Sequence, residues 1–316
     1  MLVKSKDLLK DKNKMIDIIV IGGGAAGMTA ALYALRSGKK VLVLEKENFG
    51  GQIANSPRVE NFPSIKEISG VDLSNNMFEQ ITDLGAEFEL ENVLKIEKND
   101  FSFTVTTDYN TYEAKAVIIA SGVHHRKIGV EHEDELVGKG VSYCAVCDGA
   151  FYKDQDVALI GDANTALQYA LLLSNYCRSV HICTLFDHFF GEDILVKRIK
   201  ERPNIKVTHN LSLQKFNFHD TLESLEFMDT FTHEKVVVPC ECVFIAIGQV
   251  PENDNFTNLV DLDKGYIVTN DACHTKTDGL FAAGDCRKKS IRQLTTAVSD
   301  GAIAAIEAVN YIDSKA

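Results

Sequence analysis

The 316-residue sequence has no apolar run near the roughly 18 to 20 residues that cross a bilayer, so no segment reads as a membrane span. Its start, Met1 to Lys14, is polar and charged and lacks the apolar core of a secretory signal, which sets the expectation of a soluble, cytoplasmic protein. Met15 precedes the first strand by one residue, so 1–14 reads either as an extension or as an artefact of the assigned start. Positive charge is short: 33 Lys and Arg stand against 45 Asp and Glu, a net charge of −12. That is the wrong sign for a chain whose main partner is a polyphosphate, so no nucleic acid is expected. Eight cysteines are too few for a disulfide scaffold, so a special pair among them would be catalytic or metal-binding. What is there is 45% apolar and 25% charged, enough for one large or two medium cores, which excludes disorder and collagen-like repetition.

Ile16 to Ile21 is a β-branched run that reads as a buried parallel strand ending in three glycines. Ala25 to Ser37 reads as a helix stopped by Gly38, and Lys40 to Leu44 as a second strand. Offset by 139 residues without gaps, Asp17 to Leu44 lies against Asp156 to Cys183, and the pattern repeats: strand 156–160, Gly161, helix 164–176, strand 179–183. Two dinucleotide-binding units follow. The runs Ala116 to Ala120 and Val243 to Ile247 end in similar turns, Ser121-Gly122 and Gly248-Gln249, which suits hinged crossovers between domains. Residues 280–285 and an Ala-rich helix over 294–308 read as the end of the first domain. The expected fold is therefore α/β, two Rossmann-like three-layer domains with the second inserted in the first: 1–124, 125–246 and 247–316.

Gly22-x-Gly24-x-x-Gly27 follows a strand, opens a helix and is followed by Glu45 at the end of the next strand. Gly22 permits the tight turn, Gly24 the approach of a pyrophosphate, Gly27 close helix packing, and Glu45 can accept ribose hydroxyls. Glycines also end strands for structural reasons, but here strand, helix and acid are all in place. Two further pieces favour FAD over NAD. Gly284-Asp285 sets a carboxylate past a buried strand, where a ribityl chain could donate to it. Gly50-Gly51-Gln52 and Glu60-Asn61-Phe62-Pro63 form a long loop that could wrap a flavin. Taken singly, each is also an ordinary turn.

Cys144-Ala-Val-Cys147-Asp148-Gly149 lies just before the second repeat. The two-residue gap lets the sulfurs close a small ring without refolding, and the adjacent carboxyl can carry the proton that thiolate chemistry requires. A zinc site needs a second ligand pair; Cys240-Glu-Cys242 is spaced as a strand pair and no His sits at finger spacing, so no metal is expected. Cys177, Cys183, Cys273 and Cys286 read as small buried hydrophobes.

The flavin fingerprint, the inserted second unit, the Cys-Ala-Val-Cys-Asp-Gly run and Gly284-Asp285 with Arg292-Gln293 together resemble the low-molecular-weight thioredoxin reductases over residues 16–312. The resemblance implies that Cys147 faces the flavin, Cys144 attacks thioredoxin and Asp148 is the acid/base. It implies FAD contacts at Gly22, Gly24, Ala25, Gly27, Glu45, Gly51, Gln52, Asn61, Val93, Gly122, Asp285, Arg292, Gln293 and Leu294. It also implies a homodimer whose inserted domain swings between oxidising NADPH and presenting the dithiol.

The sequence departs from that family in the second unit, where the family carries Gly-x-Gly-x-x-Ala and a His-Arg-Arg-x-x-x-Arg cluster for NADPH. Here the turn reads Gly161-Asp162-Ala163-Asn164-Thr165-Ala166 and the cluster positions are Thr184, Leu185, Phe186 and Phe190. A carboxylate about 6 Å from a phosphate, at an effective dielectric near 20, costs on the order of 3 kcal/mol; Asp162 could equally be a helix cap. The lost cations weigh more, at about 1.5 to 3 kcal/mol for each charge-assisted bond. Thr184 stands opposite Glu45 in the repeat, so the acid that reads a free ribose diol is missing too. No NADPH is expected. The pattern resembles the ferredoxin-dependent flavin thioredoxin reductases, with ferredoxin as donor. Arg287-Lys288-Lys289 is the candidate positive docking patch, or else a solvated loop. The alternatives are an NADPH enzyme with a degenerate site, a flavin dithiol oxidase using oxygen, and a non-catalytic flavin-binding protein.

Overall fold

The computed structural model describes residues 15–56 and 59–315; the polar leader 1–14 lies outside the described residues, so the choice between Met1 and Met15 as the start is not addressed by them. Among the described residues no helix is long and apolar enough to cross a membrane, and no group of three or more His, Cys, Asp or Glu could hold a metal ion.

Spatial contacts divide the molecule into two units. One holds the described residues up to 56 with Ile68–His124 and Pro251 onward; the other holds His125–Val250 and a short segment ending at Glu67. In the first unit Ile16–Ile21 pairs in parallel with Val41–Glu45 on one side and Thr111–Ile119 on the other. Glu87–Leu90 and Leu280–Ala282 extend the parallel layer at its two ends. The first half of Thr111–Ile119 instead pairs antiparallel with Phe103–Thr107, which in turn pairs antiparallel with Val93–Lys98. Both faces of the sheet are covered, which explains the unbroken apolar run: Ile18 and Val20 pack under the helices, Ile19 and Ile21 against Ile96, Phe103 and Phe256.

The second unit repeats the design. Its parallel sheet runs 205–208, 179–183, 156–160, 242–245, 141–142, and beside it lies an antiparallel sheet of Leu211–Phe218, Leu222–Asp229 and Lys235–Pro239. The fold is α/β with two dinucleotide-binding units, the second carried as an insertion. The repeat reaches the turns: a Cβ on Gly22 would lie 2.3 Å from Ala120 O, and one on Gly161 2.5 Å from Ala246 O. Both glycines have positive φ, +105° and +152°.

Several element ends differ from the sequence reading. The helix expected over 164–176 is Asn164–Leu173, because Ser174 and Asn204 side chains bond the carbonyls of Leu171, Ser174 and Cys177 and draw the chain into tight turns. The last helix runs Leu294–Lys315, seven residues past the expected end; Ile312 is buried, and Lys39 pairs with Asp313. Lys40 is outside the second strand because its N–H is held by the Asp17 carboxylate, 2.9 Å. The chain leaves the second unit after Val250 rather than 246, since Gly248 O still accepts from Arg126 N–H.

Candidate active site

At the carboxyl ends of the first unit's parallel strands, four turns converge. Gly22 to Gly24 open the helix Ala25–Arg36, and Gly50 pairs with that turn, its N–H donating to Gly23 O. Gln52 donates its amide to Val123 O, joining the 3₁₀ turn Gly51–Asn55 to the Gly122 turn. Gly284 sits against Ala26, where a Cβ would come 2.7 Å from that methyl, and carries Asp285 to the same rim. Glu45 is buried and its two carboxylate oxygens accept from Gly23 N–H, 2.7 Å, and Glu47 N–H, 2.9 Å.

Two observations test whether these residues fit FAD. A Cβ on Gly24 or on Gly122 would meet no protein atom within 4 Å, so space is left beside the backbone where a pyrophosphate approaches. Asp285 Oδ1 is buried without a well-aligned hydrogen bond, its ion-pair partner Lys289 standing 3.3 Å away, so it can still accept from a sugar-alcohol hydroxyl. Burial pushes the Asp285 carboxyl up, and Lys289, 3.3 Å from Oδ1, pulls it back. The residues fit the flavin. Ala25 and Val93 are buried at the starts of a helix and a strand, and Leu294 opens the last helix. Gln293 N–H is held by Thr296 Oγ1, while Arg292 donates to Asp285 O and stacks on Tyr266, 4.0 Å from the ring centre. Asn61 is exposed and lies in the short segment that groups with the second unit.

The glycines make separable predictions. Gly27→Ala would place a Cβ 1.8 Å from Gly22 O and is expected to prevent folding. Gly24→Ala clashes with no protein atom, so the apoprotein should melt as wild type does. FAD affinity, followed by flavin fluorescence, should fall roughly ten- to a hundredfold, the about 1 to 3 kcal/mol of an added methyl in a close contact.

In the second unit Cys144 and Cys147 form a disulfide, half-buried at the helix Ala145–Asp148. Cys147 N–H donates to Cys144 Sγ, 3.2 Å, a bond that favours a thiolate there once the disulfide opens. Burial pushes the Asp148 carboxyl up from the usual carboxylate range, and a 2.7 Å hydrogen bond from Ser142 Oγ draws it part of the way back. The loop is anchored from below: the buried Glu133 carboxylate accepts from Tyr143 OH, 2.8 Å, and from the N–H groups of Ile128 and Gly129.

The family profile of the pyridine nucleotide-disulphide oxidoreductases matches residues 16–301. The chain belongs to this family. A Bacillus subtilis (strain 168) thioredoxin reductase is 38% identical over 304 residues, 96% of each chain. Among solved structures, a thioredoxin reductase from Streptococcus pyogenes MGAS5005 is 36% identical with a TM-score of 0.92, covering 96% of this chain and 99% of that one. A ferredoxin-flavin thioredoxin reductase from Clostridium acetobutylicum is 28% identical with a TM-score of 0.53, covering 96% and 99%. This disulphide oxidoreductase is thus a flavoprotein, and it carries the Cys144–Cys147 disulfide.

Its second nucleotide turn differs from its first. Thr184, opposite Glu45 in the repeat, is fully buried; its Oγ1 donates to Phe186 O, 2.7 Å, and pairs with His209 Nδ1, 2.6 Å. Leu185, Phe186 and Phe190 are each about half exposed, with the Phe186 and Phe190 rings edge to face at 5.1 Å. Asp162 caps nothing: the helix N-cap is Ala163, without a side-chain bond, and Asp162 O accepts from Phe190 N–H, 2.7 Å.

The structure overturns the docking patch read at Arg287-Lys288-Lys289. Arg287 is buried, 3.0 Å from Asp300 and 3.1 Å from Cys273 Sγ, and Lys289 is ion-paired to Asp300 and Asp285. Lys288 alone is exposed, and it pairs with Asp263 at 2.6 Å. Asp300, thirteen residues along the chain from Arg287, gathers these charges and also accepts Gly284 N–H, 3.1 Å. Asp300→Ala would leave the buried Arg287 without its anion and Lys289 with Asp285 alone, and a loss of about 3 to 5 kcal/mol is expected in urea unfolding. Retained stability would show the network to be idle.

Sequence reasoning also missed Ser142, which is 4% exposed. Its only signal is its place at the end of a strand, two residues before Cys144.

Proposed function

We propose that this flavoprotein reduces thioredoxin with electrons from reduced ferredoxin, without NADPH. The observation that carries the donor reading is the second nucleotide turn, where a buried, internally bonded Thr184 and the apolar Leu185, Phe186 and Phe190 stand at the positions that would grip a 2′-phosphate. Similarity to the ferredoxin-flavin enzyme of Clostridium acetobutylicum supports it. The proposal includes a cytoplasmic homodimer and leaves the ferredoxin surface outside residues 287–289.

Gly22, Gly24, Gly27, Glu45, Gln52 and Asp285 would hold FAD, whose bound flavin supplies the exchange between a one-electron donor and a two-electron acceptor. The chain's own part is thiol chemistry. Opening Cys144–Cys147 takes two electrons and yields two sulfur anions, and Asp148 supplies a proton. Cys144 then attacks the thioredoxin disulfide, forming a mixed disulfide that Cys147 resolves.

Thioredoxin reduction under argon tests this. Reduced ferredoxin should support turnover and submillimolar NADPH should not. NADPH-driven turnover would instead mean a degenerate but working coenzyme site, and rapid peroxide formation from a small dithiol in air would mean an oxidase.

A further inference from the structure

We propose that Ser142 is a positioning residue for thiol–disulfide exchange: its hydroxyl assigns the two oxygens of Asp148 different tasks while holding the backbone of Cys144. The inference rests on the reading of Asp148 as the acid/base of the cysteine pair.

Ser142 ends the two-residue strand Val141–Ser142, opposite the fully buried Phe244. At 4% exposure its hydroxyl must find partners inside the protein. It has two: Asp148 Oδ2 at 2.7 Å and Cys144 N–H at 3.1 Å. An N–H can only donate, so the serine oxygen accepts from Cys144 and the single hydroxyl proton goes to Asp148. Oδ2 is thereby committed. Oδ1, buried with no partner, is the oxygen left to carry a proton. One side chain thus orients the acid/base and fixes the start of the helix that bears both sulfurs.

The groups facing Asp148 from neighbouring elements do not compete for that task. They are Tyr152 in the following turn, Tyr169 on the helix Asn164–Leu173, and Cys242 on the strand Cys242–Ile245, which is bonded to Tyr152. Burial raises all three, so they stay protonated through neutral pH.

In the exchange, Asp148 Oδ1 takes the Cys144 thiol proton as the Cys144 sulfur attacks the thioredoxin disulfide. The thioredoxin sulfur that leaves takes this proton. Cys147 then attacks Cys144 Sγ, its own proton following the same route, so the enzyme disulfide re-forms and the second thioredoxin sulfur departs as a thiol. Enzyme dithiol and thioredoxin disulfide become enzyme disulfide and thioredoxin dithiol, with two electrons and two protons passed.

The test needs neither electron donor nor thioredoxin. The holoenzyme is reduced with a phosphine, freed of it, and alkylated with iodoacetamide under argon from about pH 5 to 10, Cys144 modification being read by mass. The wild-type profile should contain a limb that Asp148→Asn abolishes. In Ser142→Ala this limb should move up by about one to two pH units, the size of one lost hydrogen bond to a carboxylate. Ser142→Thr, which keeps the hydroxyl, should restore it. A Ser142→Ala profile superimposed on wild type overturns the role of Ser142 while leaving Asp148 in place. A limb that survives in Asp148→Asn overturns the acid/base reading and the inference with it.

Discussion

Arginine at positions 185, 186 and 190, with glycine at 162 and 163, is expected to confer tight NADPH binding on the second unit. The turn needs no redesign, because Gly161 already makes the same close approach to Ala246 O that Gly22 makes to Ala120 O. What is absent is charge and room. Leu185, Phe186 and Phe190 are half exposed, so guanidinium groups there would reach solvent and a phosphate alike. Three charge-assisted bonds of about 1.5 to 3 kcal/mol each correspond to roughly three to six powers of ten in affinity. Replacing Asp162 removes a like charge, and glycine at 163 restores the opening that Gly24 leaves in the first unit. Coenzyme fluorescence on the two proteins measures the gain. Equal affinity before and after would mean that the natural site already grips NADPH by other means.

The second large effect concerns the cysteines. Cys147→Ser and Cys144→Ser should each lower thioredoxin turnover by roughly four or more powers of ten, as removal of a covalent nucleophile does. The two variants should differ in what they trap. With a thioredoxin whose single remaining thiol carries a thionitrobenzoate leaving group, Cys147→Ser should accumulate a mixed disulfide through Cys144, because no resolving sulfur remains. Cys144→Ser should accumulate none. Mass spectrometry distinguishes the adducts, and a reversed pattern would exchange the two roles.

The parts of this architecture that depend on local chain geometry could be read directly. The glycine turn, the strand Ile16–Ile21 and the repeat of both after 139 residues follow from φ, close approach and burial, which act over a few residues. The Cys-x-x-Cys spacing belongs to the same class. Misreadings came where a distant residue decides. Arg287 and Lys289 look like a surface patch until Asp300 is placed between them. The helix expected to reach Tyr176 ends at Leu173 because Asn204 takes carbonyls from the next turn. Ser142 carries no pattern at all; its role comes from a buried hydroxyl lying between Cys144 N–H and Asp148.

On the proposed function, one nucleotide turn of this protein serves a flavin while its duplicate does not serve a nicotinamide coenzyme. Anaerobic absorption spectroscopy of the FAD-loaded protein, with NADPH, NADH and reduced ferredoxin offered in turn, separates the two turns. Reduced ferredoxin should bleach the visible flavin band within the mixing time of a turnover experiment, while both pyridine nucleotides leave it unchanged. Bleaching by submillimolar NADPH would show that the second turn still binds its coenzyme.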